Sequence, residues 1–460
     1  VIDVRDFGAV GDGETDDYEA LQKAADYLSR NSGRTLVFPP GTYRIDQYIV
    51  RRSDFWNGVS PITYTDCSNI RIVGCDAVID VKGDFPRDRY QPIASHPGLY
   101  LSDANQVVPF YFVNCSDFTL EGFELNGHVS QMTRDPNVVE GRNHGVATYR
   151  SRNYRISNMY IHHFAADGIY LGGDRTPDQN LEVRNVLSSH NARQGLSVIQ
   201  VQGARIYDSE FSNAGRTDGN YLGHMPMSGV DIEPNFTSER PEERTKDILF
   251  EDCIFRDNRG AQITTYNRGM LTSVENVQFS RVTVTAAEDS YQLAVVLAVK
   301  NGLIENSEID TKAGAIYPSY GDGTQVDTTL RGNTIYTRAW GIVSDQPKLL
   351  WIENNRLVGQ HRQPFTSYMP YLQNTRATFR NNTVFVPKEA LATASFWQGF
   401  FLLQRLSISA GNEFGTDLSP DSGRYFYVDY SGTVRVDSDT FPSPAIRPCL
   451  GCLYQRIYSR

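Results

Sequence analysis

Polar and apolar residues alternate in short runs through the middle of the chain, and each run opens on a glycine. The copies are Gly145-Val146-Ala147-Thr148, Gly168-Ile169-Tyr170-Leu171, Gly195-Leu196-Ser197-Val198, Gly229-Val230-Asp231-Ile232-Glu233 and Gly260-Ala261-Gln262-Ile263. A period of two sends one set of side chains into a core and the other to an outer face, which predicts strands. The glycines lie 23, 27, 34 and 31 residues apart, a spacing that suits coils of a solenoid with connections of variable length. Stacked in register, Tyr170, Ser197, Asp231 and Gln262 form one outward, exposed column.

A second unit recurs as an apolar residue, any residue, Asn or Asp, two residues, then another apolar. It centres on Asn158, Asp208, Asp252, Asn354 and Asn381. Asn and Asp tolerate left-handed backbone and bond to neighbouring peptide groups, so these positions predict corners with a stacked Asn ladder. A helical pattern occurs once, near the start. Ala20, Leu21, Ala24, Ala25 and Leu28 make an apolar stripe within Tyr18–Ser29, with Thr15 or Asp16 as the expected N-cap. One amphipathic helix ahead of many strands suits a lid on the open end of a solenoid.

The stretch Val4-Arg5-Asp6-Phe7-Gly8-Ala9-Val10-Gly11-Asp12-Gly13, the helix, and Leu36-Val37-Phe38-Pro39-Pro40-Gly41-Thr42-Tyr43 closely resemble the entry cap of the pectate-lyase-like superfamily. The resemblance implies an all-β, right-handed parallel β-helix with an N-terminal capping α-helix. It implies the reaction far less, because that superfamily hosts many chemistries. Residues 1–45 are expected to form the cap and 46–460 the β-helix, as a single domain overall. Insertions at about 82–107, 127–143 and 214–228 would rise as walls of a groove beside one sheet.

The 460-residue chain has a formal charge of -10. That balance argues against nucleic acid, whose phosphates need clustered Lys and Arg. No apolar run has the length of a membrane span, so no membrane partner is expected. The start at Val1 without Met reads as processing of a secreted or periplasmic protein, although a trimmed chain would start the same way. Six cysteines (67, 75, 115, 253, 449 and 452) leave the compartment open, and the Cys449/Cys452 spacing reads as a local disulfide or two thiols. Oligomeric state is left undetermined.

The chemistry is expected on the outward column. Asp231 and Glu233 point to one face with Cα atoms roughly 6–7 Å apart. That separation suits the acid and base, or acid and nucleophile, of a glycosidase of either stereochemistry. The leading expectation is thus a glycoside hydrolase acting on an oligo- or polysaccharide, with Asp231, Glu233, Tyr170 and His190 catalytic. Arg193, Asp167, Asp174, Arg142, His144, Arg216, His224 and Gln262 would bind substrate. The alternatives are a lyase or C5-epimerase on a uronate polymer, with a base from His190, Tyr170 or His224 and a cation from Arg193, Arg142 or Arg216, and a non-catalytic glycan-binding spike. No cofactor and no metal are expected: calcium is conceivable but not indicated. His162 and His163, as adjacent strand residues, should face opposite ways. The superfamily motifs subtract rather than add. The polygalacturonase strings are absent, and the nearest match to the epimerase Asp-Pro-His is Asp135-Pro136-Asn137, in a loop.

Overall fold

The computed structural model describes residues 1–46, 62–82, 90–92, 100–102, 108–131, 138–140, 143–173, 175–235, 243–265, 273–290, 294–311, 316–318, 327–337, 341–344, 349–360, 368–372, 376–388, 400–404, 407–417, 419, 426–431 and 434–449. They fall into two compact units, Val1–Ile248 with Asn258–Gly260, and Leu249–Asp257 with Ala261–Arg460. The fold is a right-handed parallel β-helix closed by a single N-terminal helix, Tyr18–Arg30.

The helix buries the predicted stripe: Ala20, Leu21, Ala24, Ala25 and Leu28 are all buried. Leu21 and Leu28 each contribute about 1.5–3 kcal/mol by leaving water. Its N-cap is Asp17, one residue beyond the expected position, and the Asp17 side chain makes no cap bond. The carboxylate instead accepts the Val10 and Gly11 N–H groups at 2.6 and 3.1 Å, tying the helix start to the preceding turn.

In the first unit, long strands Ser68–Val81, Ser116–Asn126, Arg152–His162 and Asp178–Ser189 stack in parallel, with Ile72, Leu120, Ile156 and Val183 in one register row. Asn158 and Asn185 bend the last two at φ 54° and 50°. The expected corners at Asp208, Asp252, Asn354 and Asn381 have φ between 51° and 57° as well. Facing these strands is a second sheet whose members here are Thr63–Thr65, Phe110–Val113, Val146–Tyr149, Asp167–Leu171, Gln194–Val198 and Val230–Ile232, all parallel. Between the sheets lie Leu120, Ile156, Ile169, Leu171, Leu196 and Val198, fully buried, and a stack of Phe112, Phe118 and Tyr154 at 4.2 and 4.7 Å.

The glycine opening each strand is there for closeness rather than for an unusual φ. A Cβ on Gly168 would lie 2.9 Å from the Gly195 carbonyl, and one on Gly195 would lie 2.7 Å from the Gly229 carbonyl. The coils approach at these points to a distance that only glycine allows.

The second unit continues with parallel strands Val274–Ser280, Lys300–Glu305, Asp327–Arg331, Leu349–Glu353 and Arg376–Arg380. An Asn ladder runs inside it, one residue past the corner positions. Asn333 donates to Asn355, Asn355 to Asn382 and Asn382 to Asn412, at 3.0–3.1 Å. Each also donates to a core-strand carbonyl, those of Ile304, Leu330 and Ile352. Among the described residues no helix is long and apolar enough to cross a membrane.

Candidate functional site

Strand register sets Tyr111, Ala147, Tyr170, Ser197 and Asp231 opposite one another in successive strands. Their neighbours Ile169, Leu171, Leu196, Val198, Val230 and Ile232 fill the core, so this column lies on the outer face. The face is not wet. Ser197 is fully buried and Asp231 is 3 % exposed, while Tyr170 remains half-buried. Gln262 is buried, in the second unit.

A second column explains the dryness. The residue before each glycine is polar: His144, Asp167, Gln194 and Ser228, all buried. Arg193 grips Asp167 with two parallel bonds, Nε and Nη2 at 2.8 and 2.9 Å. The Ser197 hydroxyl donates to the same carboxylate at 2.8 Å, and Gln194 Nε2 donates to Asp231 Oδ2 at 2.6 Å. His144 Nδ1 accepts the Asp167 N–H at 3.3 Å, and the His144 ring lies 4.9 Å from that of Tyr170. Tyr170 also stacks on Tyr149 at 5.7 Å. The two columns therefore mesh into one polar layer, with Tyr170 at its more open end.

Burial raises the Asp167 carboxyl well above its usual range, the Ser197 hydroxyl works against that, and Asp231 adds repulsion. Burial likewise lowers Arg193. A guanidinium keeps its proton in proteins, and a forked, two-bond contact favours the ionised carboxylate, so the pair stands as a buried salt bridge. Arg193 is thereby committed to the floor.

The segment from Asn213 to Gly229 carries no strand and rests on Val129, Ala165 and Ala192 through Tyr221. His224, 2 % exposed, pins it by donating from Nε2 to the Ala165 carbonyl at 2.7 Å. Arg216 lies half-buried on this segment. The two earlier insertions form a small sheet, in which Tyr100–Ser102 pairs with Tyr90–Pro92 and with Val138–Glu140. Arg142, Asp174, Asp135-Pro136-Asn137 and Cys452 lie outside the described residues.

A histidine group sits where the long strands turn toward this sheet. His128, His163 and His190 take the same left-handed corner in three coils, at φ 52°, 57° and 56°. His163 and His190 stack at 5.1 Å, and His128 pairs with Asp80. His162 stays on its strand beside Tyr160 at 4.1 Å; burial and then the neighbouring His163 push it down to about 3.

Sequence reasoning named Tyr170, Asp231, Asp167, Arg193 and His144 and missed Gln194. The available signal was the polar residue before each glycine. Glu233 follows the Val230–Ile232 strand, half-buried, with its N–H on the Val198 carbonyl at 3.1 Å.

Residues 1–76 match the model for rhamnogalacturonase A/epimerase, pectate lyase-like, and residues 121–288 match the right-handed β-helix region. The fold is the right-handed parallel β-helix of the pectate-lyase-like proteins, and the first 76 residues match their model. Two relatives from Azotobacter vinelandii, alginate lyase 7 and mannuronan C5-epimerase AlgE6, are 50 % identical to it over 42 residues, 9 % of this chain and 5 % of either relative. Among solved structures, the AlgE6 A-module has a TM-score of 0.53 at 17 % identity, over 98 % of both chains.

These findings overturn the preference for a glycoside hydrolase, since the named relatives are a lyase and an epimerase. The acid/base roles expected of Asp231 and Glu233 were those of a hydrolase, and the structure places Asp231 inside the polar layer with Glu233 half-buried beyond it. Asp231 is buried and accepts a hydrogen bond from Gln194.

Proposed function

We propose that the chain acts on a uronate-containing polysaccharide as a lyase or C5-epimerase. The observation that carries this reading is the half-buried Tyr170, held between His144 and Tyr149 at the edge of a fixed polar layer. Both reactions begin alike. A cation offsets the charge of the C6 carboxylate, and a base removes the proton from C5. A lyase then expels the 4-linked oxygen and leaves a C4–C5 double bond; an epimerase returns a proton to the opposite face of C5.

Tyr170 is the proton-transfer group in this reading, and Arg216 on the wall segment is the cation. His224 is held on a backbone carbonyl and Arg193 on Asp167, so both serve as positioning residues. The similarity to named alginate-acting proteins supports the substrate class. A polymer of this kind is met outside the cytoplasm, which goes with a secreted or periplasmic location.

The test is incubation with mannuronate, guluronate and galacturonate polymers and a neutral glycan in deuterated water. Unsaturated ends seen by ultraviolet absorbance mark a lyase, and deuterium at C5 of an intact chain marks an epimerase. Tyr170→Phe should lower the rate by about 10²–10⁴-fold, the usual contribution of a positioned acid or base. Absence of both products on every uronate polymer, or an unimpaired Tyr170→Phe enzyme, would reject the reading.

A further inference from the structure

We propose that His163, His190 and Asp218 bind a first-row divalent metal ion, zinc foremost, that fastens the Asn213–Gly229 segment to two successive coils. The inference does not depend on the reaction assigned above. His163 Nε2 and His190 Nε2 lie 3.2 and 3.6 Å from the same oxygen, Asp218 Oδ2. The three donor atoms all fall within 4.8 Å of one another. Ligands about 2.0–2.1 Å from a tetrahedral ion stand roughly 3.3 Å apart, so both contacts already have the right scale.

The expectation that His162 and His163 cannot share an ion stands on strand geometry, but they do not need to share one. The strand ends at His162, and the left-handed turn at His163 swings its ring onto His190, the equivalent residue of the next coil.

Hydrogen bonding orients the donors. Glu124 Oε1 lies 3.3 Å from His162 Nε2, and a carboxylate only accepts, so that nitrogen carries the hydrogen. His162 Nδ1 lies 2.7 Å from His163 Nδ1, and this contact fixes the His163 ring with Nε2 toward Asp218. On the other side, the Ser189 hydroxyl lies 2.8 Å from His190 Nδ1, in a chain that runs through Ser212 to the Glu210 carboxylate. A histidine tied back to a carboxylate through its second nitrogen is the usual support of a metal ligand.

A single divalent ion serves all three groups. Two imidazoles and a carboxylate suit zinc, with a fourth position for water or an anionic ligand.

The test uses the full chain, stripped with a chelator, dialysed and titrated with zinc chloride by calorimetry. Cobalt(II) in its place reports coordination number through its visible absorption. One equivalent of zinc per chain is expected, with four-coordinate cobalt spectra. His163→Asn and Asp218→Asn should each weaken binding by more than about 100-fold, beyond the effect of losing an outer partner. Glu124→Gln should weaken it by about 10-fold. Asn is accommodated at the left-handed backbone of residues 163 and 218, so these variants should keep the native circular dichroism. No stoichiometric uptake, or unchanged affinity in His163→Asn and Asp218→Asn, would overturn the metal site in favour of a protonated ion pair; unchanged affinity in Glu124→Gln would overturn the supporting relay.

Discussion

Arg193 and Asp167 bury opposite charges against each other, and the geometry between them decides what either is worth. Removing one partner of such a pair leaves the other charge buried alone, at a cost of about 3–5 kcal/mol. Arg193→Ala should therefore lower stability by that amount in urea melts. Asp178 makes a different point. Burial raises its carboxyl to about 6, although Thr148, the Ser151 N–H and Tyr154 pull the other way. The folded chain thus holds this proton more tightly than the unfolded chain, where an Asp titrates near 3.9. Stability from this group is full below about pH 4 and is lost as pH rises through 6. Relative to the natural chain, Asp178→Asn should gain up to about 3 kcal/mol between pH 4 and pH 6.5, measured by melts at each pH. Neither residue's burial could be read from sequence. Asp167 was visible as a polar residue beside a glycine, but Arg193 as its partner depends on which coil lies next to which.

At the scale of single strands and corners, local chemistry carried further. The corners at Asn158, Asp208 and Asn381 follow from the tolerance of Asn and Asp for left-handed backbone, and all three have positive φ. The helix stripe followed from its spacing. The N-cap was displaced by one residue because Asp17 binds the turn before it, a contact between segments that propensity does not describe. The ladder holds at the corner in the first unit, where Asn185 Nδ2 donates to Asn158 Oδ1 at 2.9 Å, and in the second unit it lies one step on. Asn354 and Asn381 make the corners, while Asn355 and Asn382, one step on, point inward and carry the bonded stack. Adjacent asparagines cannot be told apart by pattern alone. Asn382→Ala should lose about 1–3 kcal/mol, because the buried Asn355 backbone N–H and one of its two amide hydrogens lose their shared acceptor. Gly195→Ala should be destabilising as well, through the 2.7 Å approach of its Cβ to the Gly229 carbonyl, and a shifted urea midpoint with an unchanged slope would report it.

For the molecule as a whole, the cap signature and the glycine-led repeats were enough to reach the β-helix, because each coil repeats the same local solution. The reaction was not legible in the same way. A solvated strand face was assumed from alternation, and a pair of carboxylates was read as an acid and a base on that assumption. The layer built by His144, Asp167, Gln194 and Ser228 dries that face, which no single coil reveals. The inner ladder has one more implication. Its amides all point the same way along the stack, and the last of them, Asn412, donates at 2.9 Å to Asp439, a group with nothing to pass on. Asp439 is thus a full stop: anyone grafting an extra rung onto this end would have to write asparagine at 439 and carry the carboxylate out to the new terminus.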